Sequence, residues 1–68
     1  MSKRIHYYTQ AVYAGYLAVG DVIHADNTNY HIASVNEDMG IVTFTTAEGQ
    51  DLRYKRYADV YATFRVLS

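Results

Sequence analysis

"NYHIASVNEDMGIVTFTTAEGQDLRY", residues 29–54, decides the fold. Three runs rich in Val, Ile, Thr, Tyr and Phe lie within it, separated by short polar breaks. In "NYHIASV" (29–35), Tyr30 and Ile32 share one face of an extended chain. Val35 rejoins that face only if a bulge falls near Ala33–Ser34. "IVTFTT" (41–46) sets Val42 and Phe44 on one side and Thr43 and Thr45 on the other. "QDLRY" (50–54) turns Leu52 and Tyr54 inward and Asp51 and Arg53 outward. A period of two is the signature of strands rather than helices. The breaks "NEDMG" (36–40) and "TAEGQ" (46–50) each carry a glycine, Gly40 and Gly49, suited to the left-handed conformation a hairpin turn requires.

Working outward, "ADNTN" (25–29) is rich in Asp and Asn, which tolerate positive φ and bond to their own backbone, so a further hairpin is expected there. Upstream, in "AGYLAVGDVIHA" (14–25), Leu17 anchors a tight turn and Gly20 supplies a corner. Asp21 is expected to bond its following backbone, and Val22 and Ile23 open a strand. Downstream, "DVYATFRVL" (59–67) places Val60, Ala62, Phe64 and Val66 on one side, with Tyr61, Thr63, Arg65 and Leu67 opposite. "RIHYYTQAVY" (4–13) is either a first strand or an N-terminal arm that pairs only in an oligomer. Proline is absent, so no run loses a ladder donor. Five or six antiparallel strands joined by hairpins cannot hide their apolar faces as a flat sheet, and curling into a small barrel removes the exposed edges. The expectation is an all-β single domain over residues 1–68.

"LAVGDVI", "YHIASV", "GIVTFTTAEGQDLRY" and "ADVYATFRV" together resemble small SH3-like-barrel proteins, including short uncharacterised products of tailed bacteriophages. The likeness spans roughly residues 14 to 67 and its motifs are structural. It implies an SH3-like barrel of five to six strands and a phage-encoded product in the host cytoplasm. It specifies no activity. Tiny barrel enzymes of the plasmid dihydrofolate-reductase type share the "GD" opening, but their Val-Gln-Ile-Tyr strand is missing here, so that activity is not carried over.

Composition narrows the function classes. The chain has 68 residues and no cysteine, which removes disulfides and thiol chemistry and fits a reducing cytoplasm. No apolar run reaches the roughly 18–20 residues of a membrane span. The opening "MSKRIHYYTQ" has no apolar segment behind its basic residues, so neither a signal peptide nor a membrane association is expected. So small a domain gains from association, and a homo-oligomer is expected. His6, His24 and His31 are too few to build a zinc site; His24 and His31 flank a turn and are expected to face one another. Ser2, Ser34 and Ser68 lie in no nucleophile context, and no phosphate-binding glycine loop is present. Asp21 and Asp51 have no spacing that marks an acid pair. No catalytic residue, metal or cofactor is expected.

The candidate site comes from charge and rings. Net charge is −1, yet no Lys or Arg occurs from Ile5 to Leu52. All basic residues are Lys3 and Arg4 or lie between Arg53 and Arg65. "KRYAD" (55–59) reads as a turn that pushes Lys55, Arg56 and Tyr57 outward, with Arg65 expected to join them. Arginines for phosphate and tyrosines for stacking would suit nucleic acid. The negative net charge argues against that, and Arg53 and Lys55 have Asp51 and Asp59 nearby as ion-pair partners. Eight tyrosines exceed what a small barrel buries. Tyr30, Tyr54 and one of Tyr7 and Tyr8 are expected to cap the core, leaving Tyr13, Tyr16, Tyr57 and Tyr61 exposed. Tyr and Arg are the residues enriched at interface hot spots. The leading expectation is therefore a non-enzymatic module that binds a host or phage protein, with inhibition by occupying that protein's surface as one consequence, through Arg53, Lys55, Arg56, Tyr57, Tyr61, Arg65, Tyr13 and Tyr16. Nucleic-acid binding is the alternative, and an oligomer with a small-ligand pocket between subunits is the third reading.

Overall fold

Local turn chemistry sets the register of the sheet. The computed structural model describes residues 5–67, with side chains for 6–65. Its elements are β1 (Ile5–Tyr13), a 3₁₀ turn (Ala14–Tyr16), β2 (Val22–Ala25), β3 (Thr28–Asp38), β4 (Ile41–Thr46), β5 (Asp51–Lys55) and β6 (Asp59–Leu67). Asp26 and Asn27 take φ of 52° and 58°, and Ala25 pairs with Thr28 across them. Met39 and Gly40 take φ of 51° and 79°, and Asp38 pairs with Ile41. Two positive φ values in a two-residue connection match the twist of the flanking strands, which locks each hairpin. Gly49 closes the third hairpin at φ 92°.

All neighbours are antiparallel in one six-stranded sheet ordered β1-β6-β2-β3-β4-β5. The segment 5–13 is thus a strand of this chain's own sheet, paired with β6 from Ile5↔Leu67 to Tyr13↔Asp59. The register of β3 on β4 shifts between Ile32 and Ser34, the bulge position the alternation required. That shift returns Val35 to the side of Phe44, its partner on β4.

Among the described residues no ladder joins β5 to β1, so the sheet is open. Instead of running beside β5, the chain leaves β1 through the 3₁₀ turn. The Ala14 and Gly15 N–H groups donate to the Ala58 and Arg56 carbonyls at 3.0 and 2.9 Å. These two bonds draw the sheet's ends together without pairing them.

One cluster forms the core: Ala14, Leu17, Ile23, Tyr30, Ile32, Val42, Phe44, Val60 and Ala62. Phe44, Ile23 and Val42 are fully buried, each stabilising by about 1.5–3 kcal/mol. Leu52, Tyr54 and Phe64 pack against this cluster from the faces the alternation gave them. The sides expected for Val66 and Leu67 lie outside the described side chains, and Lys3 and Arg4 lie outside the described residues. Asp21 bonds backward rather than forward: its Oδ2 accepts from the Ala18 N–H at 2.9 Å, holding the turn that seats Leu17.

Candidate functional site

The tyrosines divide as packing demands. Tyr30 is buried and Tyr54 half-buried, whereas Tyr7, Tyr8, Tyr13, Tyr16, Tyr57 and Tyr61 are exposed. Neither Tyr7 nor Tyr8 caps the core; Tyr8 instead rests on Phe64, ring centroids 5.5 Å apart. The reason is position. Both lie on the part of β1 that extends past the point where β6 leaves β2, because β2 meets β6 only at Thr63 and Ala62.

Three of the exposed rings meet at one end of the sheet. Tyr13 ends β1, Tyr16 lies in the 3₁₀ turn and Tyr57 in the turn between β5 and β6. The Tyr13 ring lies 5.8 Å from Tyr16 and 5.7 Å from Tyr57, the latter edge-on. Such contacts hold rings in fixed orientation, each worth about 0.5–1.5 kcal/mol beyond burial. The two backbone bonds from Ala14 and Gly15 to the 56–58 turn bring these elements together. That turn is itself closed by the Ala58 N–H donating to the Lys55 carbonyl at 3.0 Å, so "KRYAD" is the turn the sequence implied.

Arg56 binds the platform to β3. Its guanidinium pairs with Glu37 and lies 6.0 Å from the Tyr57 ring centroid. The Glu37 carboxylate, then the Tyr57 hydroxyl, hold the Arg56 pKa above its ordinary value. Its stem crosses Gly15 so closely that a Cβ there would stand 2.7 Å from the Arg56 Cγ. The Arg56 N–H donates to the Gly40 carbonyl at 2.9 Å, carrying the platform on to the β3–β4 turn. Here Met39, 95% exposed, and Ile41 join Lys55, Arg56, Tyr57 and Ala58 around a shallow groove of about 570 Å³. Tyr16 and Tyr57 are 76% and 69% exposed beside it. The result is a continuous surface of Met39, Ile41, Tyr13, Tyr16 and Tyr57 rimmed by Lys55, Arg56 and Glu37. Sequence reading missed Met39, Ile41 and Glu37. The visible signal was "MG" in a two-residue turn where Asn-Gly or Asp-Gly is favoured.

The basic residues do not converge as expected. Arg65 pairs with Tyr7, six residues along β6 from Asp59 and so about 20 Å away at 3.3 Å per residue. It lines a separate polar cleft with Asp21, Asn29 and His31. Tyr61 belongs to another hollow, with His24, Asp26 and Tyr54. Burial, and secondarily the Asp26 charge, raise the Tyr54 hydroxyl's pKa. Arg53 and Lys55 face Thr43 and Ile41 across the ladder. Neither forms an ion pair with Asp51 or Asp59; the acid engaged is Glu37, through Arg56.

The histidines do not face one another either. His24 lies opposite Asn29 and His31 opposite Val22, so the two histidines are staggered by two pairs along the ladder, with Ile23↔Tyr30 between them. His24 Nδ1 bonds Asn29 Oδ1 at 2.9 Å. His31 Nδ1 meets Glu48 Oε2 at 2.8 Å, and Glu48 Oε1 accepts from the His31 N–H at 2.9 Å. The two bonds hold the Glu48 carboxyl below its ordinary pKa. No family model matches the chain, and no curated protein or solved structure matches it.

Proposed function

We propose that this chain is a small non-enzymatic interaction module of SH3-like architecture that docks a protein on the Met39–Ile41–Tyr13–Tyr16–Tyr57 surface, the partner being a host or phage protein. The SH3-like reading is supported by the motif resemblance and by the bonds from Ala14 and Gly15 that bring the ends of the sheet together. One observation carries the docking reading. Met39 occupies a left-handed position that disfavours its side chain, and it presents that side chain almost wholly to solvent. The hairpin gains from the left-handed backbone at this position, but not from a methionine side chain standing in solvent. Local rules broken without structural return mark function. Methionine is a soft, adaptable contact residue, and fixed tyrosines supply contact area at small entropic cost. Arg56 serves the platform as a positioning group, already neutralised by Glu37. A phosphate backbone would want its cations unpaired and on one face, so the dispersal of Arg53, Arg56 and Arg65 favours protein over nucleic acid.

The test is quantitative affinity capture from lysate of the cell that contains the protein, using wild type, Met39→Asn, Tyr16→Ala and Arg65→Ala. One protein retained by wild type and Arg65→Ala but released by the other two is the expected outcome. Retention by all four, or by none, contradicts the proposal.

A further inference from the structure

The two free edges of the sheet are built differently. The β5 edge is five residues long and carries Asp51, Arg53 and Lys55, charges of the kind that guard an edge against further pairing. The β1 edge is nine residues, "IHYYTQAVY", with no Asp, Glu, Lys, Arg or Pro. Nothing in its composition opposes another strand. Moreover, β6 pairs with β2 only through Thr63 and Ala62, so among the described residues β1 and β6 continue past that point as a two-stranded ribbon. The molecule measures 49 × 23 × 20 Å, long for 68 residues. A two-stranded ribbon is marginal in water without a third strand to support it.

We infer that β1 pairs antiparallel with β1 of a second copy, forming a two-fold dimer with a continuous twelve-stranded sheet (six strands from each copy). A two-fold axis perpendicular to the sheet keeps like faces together. Overlap of the whole strand centres it on Thr9, midway along Ile5–Tyr13. Each projecting ribbon end then lies against the Ala11–Tyr13 end of the other copy, the end anchored to the body by Val12 and by the bonds of Ala14. The ribbon gains the third strand it lacks. Nine facing pairs exchange on the order of eight to ten backbone hydrogen bonds.

Side-chain size supports the same register. Within one copy, Ala11 faces Tyr61 and Tyr7 faces Arg65 on the outer side. Pairing about Thr9 sets Tyr7 of the second copy opposite Ala11. A row across the dimer then reads Tyr61, Ala11, Tyr7 and Arg65, the last two from the second copy. The small Ala11 leaves room for a ring on each side, covering Tyr7 and Tyr61, which are 68% and 59% exposed in the single chain. Arg65 completes the row as a cation beside a ring. Along Ile5–Tyr13 no like charges meet, because that strand carries no Asp, Glu, Lys or Arg.

The experiment is light scattering and sedimentation of the full chain. Wild type is expected at twice 7.8 kDa. Ala11→Lys fills the room that the small side chain leaves for the two rings and sets on the β1 edge a lysine of the kind that guards against further pairing, and it is expected to raise the dissociation constant by at least about tenfold. Arg53→Glu on the β5 edge leaves it unchanged. Hydrogen exchange of wild type across concentrations provides a reading that does not depend on how the variant folds. Amides of 5–13 should slow as concentration rises while those of 51–55 do not. A monomer up to about 1 mM, a dimer indifferent to Ala11→Lys, an open-ended polymer or concentration-independent exchange would each overturn the inference.

Discussion

At Met39 the chain puts a thioether where a type I′ turn favours Asn, Asp or Gly. Met39→Asn should therefore raise stability by about 0.5–1 kcal/mol while releasing the partner, a pairing of effects that a purely structural residue would not show. Thermal melts should show a rise of a few degrees, at about 4–8 °C per kcal/mol for a domain of this size. Gly15 is needed for space. Gly15→Ala drives a Cβ into the Arg56 stem and close to the Arg56 carbonyl, costing about 1–3 kcal/mol. The loss should shrink, though not vanish, when Arg56→Ala is made as well, because the colliding stem is then gone while the carbonyl remains; a double-mutant melt checks this. Glu48 gives the pH dependence. Its folded pKa lies below the ordinary 4.5, so its contribution is present above that value and disappears as pH falls through the folded pKa. Between pH 7 and pH 3 the melting advantage of wild type over Glu48→Gln should shrink, with the decline starting near 4.5.

Among the elements, the β4–β5 hairpin is closed by one buried polar side chain. Thr46 is buried, and its Oγ1 accepts from the Gln50 N–H at 3.0 Å while its backbone N–H donates to the Gln50 carbonyl at 2.8 Å. Thr46→Val keeps the shape but orphans the Gln50 donor, so denaturant titration should show a loss of about 1–3 kcal/mol. This hairpin and its neighbours were legible in the sequence because alternation and turn chemistry are local. Val42, Phe44, Leu52, Tyr54, Val60 and Ala62 face as their spacing requires, and even the bulge at Ile32–Ser34 follows from the need to bring Val35 back. Pairings between distant strands were not legible. The short contact of β2 with β6 leaves Tyr7 and Tyr8 on a ribbon that among the described residues pairs no third strand, and carries Arg65 away from Arg56. No local pattern encodes that geometry. The proximity of Glu37 to Arg56, nineteen positions apart, is likewise a product of the fold.

For the molecule as a whole, an open six-stranded sheet of 68 residues has room inside for one tyrosine and half of another. The surplus of rings was visible from composition; their grouping into a platform beside Met39 was not, because it needs the 3₁₀ turn, the 55–58 turn and the β3–β4 turn at one end. The most direct measurement is oxidative footprinting of the protein, first purified and dilute, then in lysate of its own cell. The account predicts that Met39, Tyr16 and Tyr57 become protected together in lysate while the cleft lined by Asp21 and His31 reacts as before. Equal oxidation of Met39 in both conditions would contradict it.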